Sequence, residues 1–278
     1  MAAGGGAQRP LPAERGEADT VSGQPLLELK GVFKRFGAVT ALNGIDFHVD
    51  SGEVMALVGD NGAGKSTMIK TIAGIHPLDE GQILWEGQPV DIHGPKDSAR
   101  LGIEVVYQDL ALCDNLDVVQ NMYLGRESLS TFRRLDEAKM EQAAANVLKD
   151  LSVTTIQSTR QIVAGLSGGQ RQSVAVAKAV LWNSKLVILD EPTAALGVAQ
   201  TSQVLALVKR LGEQGLAVVL ISHNMSDVFE VADSITVLRL GQNVAEFKTK
   251  ETNQREVVEA ITAGELHHVP GMREEVMQ

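Results

Sequence analysis

Apolar and polar residues alternate over 26–49, with a break at Gly37, and this predicts antiparallel strands at the start of the folded region. The next apolar run, 53–58, is short and nearly continuous, as a strand covered on both faces would be, and 66–73 continues as helix without Gly or Pro. Two strand-like runs over 81–92 flank Glu86-Gly87, a hairpin signal. Between 112 and 181 the pattern turns helical, and Leu135, Ala138, Val147, Leu148 and Leu151 fall at helical spacing, predicting an inserted helical subdomain. Apolar strands return at 186–189, 217–221 and 234–238, followed by a turn at Gly241, a strand over 243–247 and a short helix near 255–261. Strands alternating with helices imply one α/β domain over 26–263. Residues 1–25, rich in Gly and Pro with scattered charge, are expected to be a disordered leader. The short charged tail 264–278 leaves no room for a further regulatory domain.

The junction between the apolar strand and the first helix reads Gly59-Asp60-Asn61-Gly62-Ala63-Gly64-Lys65-Ser66-Thr67. In that setting it is a phosphate-binding loop. Its glycines let successive backbone N–H groups turn inward around an anion, and the helix behind adds the positive end of its dipole. Lys65 is placed to contact the β and γ phosphates of a nucleoside triphosphate, with the Ser66 hydroxyl on a bridging Mg2+ ion and Thr67 completing the cradle. A glycine-rich turn with an incidental lysine is the bland reading, and about 0.01 such matches arise by chance in a chain of this kind.

A second glycine-containing helix start follows at Leu166-Ser167-Gly168-Gly169-Gln170, ahead of a run 171–181 free of Gly and Pro. With this pentapeptide the chain resembles the ATP-binding subunits of ABC transporters, a P-loop NTPase core with an antiparallel β subdomain and an inserted helical subdomain. The resemblance implies composite ATP sites in a homodimer, where Ser167, Gly168, Gly169 and Gln170 of one copy face the phosphate loop of the other. It also orders the remaining parts. Asp190 and Glu191 emerge where the apolar strand 186–189 ends, the edge at which α/β sheets bind ligands. Asp190 is expected to hold Mg2+, and Glu191 to orient or deprotonate the attacking water. Taken alone, Asp-Glu-Pro could be a turn with solvated acids.

Three further assignments rest on the resemblance. His223, after the strand 217–221, matches the histidine that bonds the γ-phosphate, although a lone histidine there is more often a satisfied turn residue. Gln108 matches the glutamine that senses Mg2+ and water and whose loop meets the membrane subunit. Phe36 matches the aromatic that stacks on adenine; Phe keeps the π face that Tyr would offer, and an edge-strand core residue is its bland alternative. One position departs from the pattern: Gly197 stands where many relatives carry an aspartate that helps couple the two sites.

Composition narrows the class. With 278 residues, 44% hydrophobic, the chain can bury a sizeable core. It has no apolar stretch of about 18 residues and no signal pattern at its N-terminus, so a membrane role would come from partners. A net charge of -10 argues against a nucleic-acid surface, and Cys113 alone makes neither a disulfide framework nor a zinc cluster. The stretches Tyr107-Gln108-Asp109-Leu110-Ala111-Leu112, Asn121-Met122-Tyr123-Leu124-Gly125-Arg126-Glu127 and Thr193-Ala194-Ala195-Leu196-Gly197-Val198 look like the ATPases of bacterial fructose, xylose and ribose importers. That resemblance implies a peripheral subunit at the cytoplasmic face of the membrane, driving a separate permease fed by an extracytoplasmic sugar-binding protein. A soluble ABC ATPase without a permease, or a transporter of another solute in either direction, is the alternative.

Overall fold

A computed structural model describes residues 24–130 and 134–263, so the expectations for the leader and the tail fall almost wholly outside the described residues. In chain order the elements are β1 (Leu27–Phe36), β2 (Val39–Val49), β3 (Val54–Val58), α1 (Lys65–Ile72), β4 (Glu80–Trp85), β5 (Gln88–Pro89), α2 (Pro95–Leu101) and β6 (Ile103–Val106). There follow α3 (Val118–Tyr123), α4 (Glu137–Asp150), α5 (Gly168–Val180), β7 (Leu186–Asp190), α6 (Val198–Glu213), β8 (Ala217–Ile221), α7 (Met225–Val231), β9 (Ser234–Arg239), β10 (Gln242–Lys248) and α8 (Gln254–Ala263).

Two sheets form. One is antiparallel, in the order β2-β1-β4-β5; the other runs β10-β9-β3-β8-β7-β6, parallel except for β10. Period-2 alternation in the parallel strands feeds two separate cores. Met55 and Leu57 of β3, Leu186 and Ile188 of β7, and Val219 and Ile221 of β8 pack with the antiparallel sheet and α1. Val54, Ala56, Val58, Val187, Leu189, Val218 and Leu220 pack on the opposite face against α3 to α6. Both faces of these strands are therefore dry, which is why their sequences are almost continuously apolar.

The hairpins follow the turn chemistry in the sequence. Glu86 and Gly87 take φ of 51° and 75°, the left-handed pair that a tight two-residue hairpin needs. The helical stretch is less faithful to its pattern. Asp136 caps α4 by accepting from the Lys139 N–H, so Leu135 precedes the helix and is exposed, as is Ala138. The buried stripe is instead Met140, Ala144, Leu148 and, just past the helix, Leu151. Counting back from Leu148 in steps of four gives that stripe directly, whereas the small Ala144 and flexible Met140 carry a weaker hydrophobic signal.

Candidate nucleotide site

Strand order decides the site. Because β3, β8, β7 and β6 are consecutive and parallel, their carboxyl ends deliver the phosphate loop, His223, Asp190-Glu191 and Gln108 to one edge of one sheet.

The loop after β3 is held from beneath by its neighbours. Gly59, Gly62 and Gly64 adopt φ of 147°, 82° and 106°, values that L side chains rarely take. A Cβ on Gly59 would lie 2.1 Å from the Leu238 carbonyl oxygen, and one on Gly64 would lie 2.8 Å from that of Ala41. The turn between β9 and β10 closes the contact: Gly241 donates its N–H to the Ala63 carbonyl at 3.0 Å and accepts from Asn43 N–H at 2.7 Å. Gly64 is the N-cap of α1 and has no side chain to occupy the first N–H groups of the helix, which remain for an anion.

Lys65 donates to the carbonyls of Gly59 at 2.5 Å and Asp60 at 2.9 Å, so its ammonium is fastened to the rim of its own loop. Burial lowers its pKa, an effect that the negative charges of Glu191, Asp60 and Asp190 oppose. Asp190 responds in the reverse sense: burial and the neighbouring Glu191 raise its carboxyl, while Lys65 and Lys70 pull it down. Tyr107, beside Gln108, is raised by burial and by Asp190. These mutual effects bring the loop, the end of β7 and the end of β6 into one electrostatic neighbourhood.

Glu191 is the first residue beyond β7 and sits at φ 52°, unusual for a non-glycine residue. Its N–H donates to Ile221 O at 3.0 Å, tying the exits of β7 and β8 together. Its Oε2 lies 2.7 Å from Nδ1 of His223, within ion-pair distance. That contact turns the Nδ1 side of the imidazole toward Glu191 and leaves Nε2 on the other side of the ring.

Phe36 ends β1 and is 44% exposed, which removes the reading as a core residue. Its ring meets His76 edge-on at 5.1 Å, and the Lys34 ammonium lies 5.4 Å from its centroid. Asp79, which the sequence did not single out, anchors that strand end: Oδ1 accepts from Lys34 at 2.8 Å and Oδ2 from the Arg35 N–H at 2.6 Å.

Away from this edge, Ser167 caps α5. Its hydroxyl accepts from Gln170 N–H at 3.4 Å, and Gln170 Oε1 accepts from Ser167 N–H at 2.8 Å. Gln170 Nε2 donates to Thr155 O at 2.6 Å. Both ends of the Gln170 amide, a residue expected among the nucleotide contacts, are engaged within the chain and shape the loop. Arg171 adds to that shape through Asp114 at 2.7 Å and through the carbonyls of Ala164 and Leu166, each at 3.3 Å. Cβ atoms on Gly168 and Gly169 would crowd Leu196 at 2.9 Å and Gln200 at 3.0 Å, so these glycines also admit close packing of α6.

A family model described as ABC transporter matches residues 42–194, a span that includes the phosphate loop, Ser167 and the Asp190-Glu191 pair. The chain belongs to the ABC transporter family. It is an ATPase of that family, and its fold is that of the ATP-binding cassette. It is 48% identical to the fructose import ATP-binding protein FrcA of Rhizobium meliloti, over 86% of this chain and 94% of that protein. It is 45% identical to the xylose/arabinose import ATP-binding protein XylG of Sulfolobus acidocaldarius, over 88% and 96% of the two chains. Among solved structures, a dimeric ATP-binding cassette in a post-hydrolysis state, bound to ADP and Pi, superposes with a TM-score of 0.67 at 25% identity, over 81% of this chain and all of that one.

Proposed function

We propose that this chain is the ATP-hydrolysing subunit that energises import of a monosaccharide through a separate membrane permease. The observation that carries the ATPase site is the convergence of Lys65, Asp190, Glu191 and His223 on one sheet edge, with Glu191 and His223 joined at 2.7 Å. The sugar assignment is supported by two relatives of 45–48% identity, both import ATP-binding proteins for monosaccharides and both matched over nearly their whole length.

In this reading adenine stacks on Phe36 and the phosphates enter the loop formed by Gly59, Asp60, Asn61, Gly62, Ala63 and Gly64, with Thr67 beside its helix start. Phosphate oxygens replace the Gly59 and Asp60 carbonyls as partners of Lys65, exchanging neutral acceptors for charged ones. Ser66, Gln108 and Asp190 offer a hydroxyl, an amide oxygen and a carboxylate, an all-oxygen set that fits Mg2+, which keeps several waters and takes few protein ligands. When bound, Mg2+ neutralises charge on the β and γ phosphates. Water positioned by Glu191 attacks the γ-phosphorus in line; its proton passes to the Glu191 carboxylate, the bond to the bridging oxygen breaks, and ADP and phosphate result. His223 orients Glu191 through Nδ1 and presents Nε2 to the γ-phosphate.

The second half of each site comes from another copy. Ser167 and the N–H groups of Gly168 and Gly169, at the start of α5, face the γ-phosphate held by the partner's loop, and the dimeric cassette among the structural neighbours supports that assembly. Among the described residues no helix is long and apolar enough to cross a membrane. In this scheme the permease is a separate partner, with the ATPase docked at its cytoplasmic face. An extracytoplasmic sugar-binding protein would feed that permease without touching this chain.

A tagged Glu191→Gln chain, recovered with MgATP from detergent-extracted membranes of the native host, tests the assignment. Co-purification of an integral permease supports transport, and recovery of soluble partners alone overturns it.

A further inference from the structure

The loops bearing Glu191 and His223 are joined again through a third residue. Asp227, on the first turn of α7, is 5% exposed and divides its two oxygens between them. Oδ2 accepts from the Thr193 hydroxyl at 2.6 Å, and Oδ1 accepts from the Asn224 side-chain amide at 2.9 Å. Thr193 lies in the same tight turn as Glu191, which closes through Ala194 N–H donating to Glu191 O at 3.1 Å. Asn224 follows His223 directly. Its Oδ1 caps α7 by accepting from Ser226 N–H at 3.0 Å, and its own N–H donates to Ser222 Oγ at 3.0 Å.

We infer that Asp227 is a positioning residue for hydrolysis, fastening the turn that carries Glu191 to the loop that carries His223 so that the two side chains keep their mutual geometry. The inference rests on the assignment of Glu191 and His223 as the hydrolytic pair. Three physical points support it. A buried carboxylate has no donor of its own, so it fixes the Thr193 hydroxyl and the Asn224 amide in one orientation each. Its bond to Asn224 stays at the cap of α7, but its bond to Thr193 reaches the loop of another strand, which a residue serving only the helix would not need. Finally, Glu191 is held at a positive φ, and such a conformation persists only where surrounding contacts over-determine it.

Thr193→Val tests this without touching α7, because it keeps the shape and removes only the hydroxyl. Single-turnover hydrolysis and nucleotide affinity of the full chain would be measured for Thr193→Val, Thr193→Ser, Asp227→Ala and the Thr193→Val/Asp227→Ala double variant, with circular dichroism giving the folded fraction. The expected result is a fall in hydrolysis rate of about tenfold in Thr193→Val at unchanged MgATP affinity, with Thr193→Ser near wild type. The double variant should be no slower than Asp227→Ala, since the Thr193 contact is already lost in that single variant. If Asp227→Ala does not fold, Thr193→Val against Thr193→Ser carries the test alone. A wild-type rate in Thr193→Val, or a loss matched by its folded fraction, overturns the inference. Glu191→Gln runs beside them: if it keeps turnover, the hydrolytic assignment itself fails, whereas a stalled Glu191→Gln with an active Thr193→Val removes only the role of Asp227.

Discussion

Nδ1 of His223 lies 2.7 Å from Oε2 of Glu191, although the His223 side chain is 75% exposed and that of Glu191 only 17%. An exposed ring thus meets a sheltered carboxylate. Replacing His223 with Ala should lower the hydrolysis rate by about tenfold to a hundredfold while MgATP affinity changes little, because what is lost is orientation of Glu191 and a γ-phosphate contact. Steady-state kcat and KM for ATP, measured side by side, check that split.

Burial of Asp190 beside Glu191 carries a cost to stability. Its folded pKa is raised by burial and by Glu191, so the folded chain holds that proton to higher pH than the unfolded chain does. Stability therefore falls as pH rises from the ordinary carboxylate range through the raised value, and it stays lower above. Asp190→Asn should raise the Tm of the nucleotide-free chain at pH 7 to 8 by roughly 1–2 °C after solvent screening, with the gain shrinking on acidification. The same variant should not hydrolyse ATP.

Gly59→Ala should disable the loop outright. A methyl group would collide with the Leu238 carbonyl at 2.1 Å and would sit at a φ of 147°. Backbone movement is the only relief, and it would displace both the Gly59 carbonyl and the N–H groups around the anion. The expected outcome is a Tm loss of several degrees and no measurable MgATP binding in calorimetry.

Asp79→Ala probes the base platform. It releases the Lys34 ammonium and the Arg35 N–H at the strand end that carries Phe36. MgATP affinity should weaken by a few-fold to about tenfold with kcat nearly unchanged, since stacking contributes equally to ground and transition states. Asp79 is held below the usual carboxylate range, chiefly by Lys34, so its contribution to stability is present above the ordinary carboxylate pKa. That contribution is lost as pH falls through the lowered value, and a Tm profile against pH should flatten there in the variant.

Glycines at positive φ, apolar strands and paired carboxylates are chemically constrained locally, which is why the glycine loop between β3 and α1, the carboxylates at the end of β7 and the helix start after Ser167 are legible in the chain. Contacts between distant positions are not. Asp79 reaches Lys34 over 45 residues and Asp227 reaches Thr193 over 34, and nothing near either aspartate marks it. Of the expected stripe of α4, Leu148 and Leu151 are buried and Val147 packs on the core, whereas Leu135 and Ala138 are exposed, because the cap at Asp136 sets a boundary that hydrophobicity alone does not show. Gln170 is placed among the nucleotide contacts by the resemblance, and its bond to Thr155, 15 residues upstream, is another contact that the chain does not show.

The most direct measurement is single-turnover ATP hydrolysis by Glu191→Gln, with its mass in solution followed in MgATP. The proposed mechanism predicts a rate at least about a hundredfold below wild type, undiminished ATP binding, and a dimer that persists because its nucleotide is not consumed. Turnover near the wild-type rate would contradict it and remove Glu191 from catalysis.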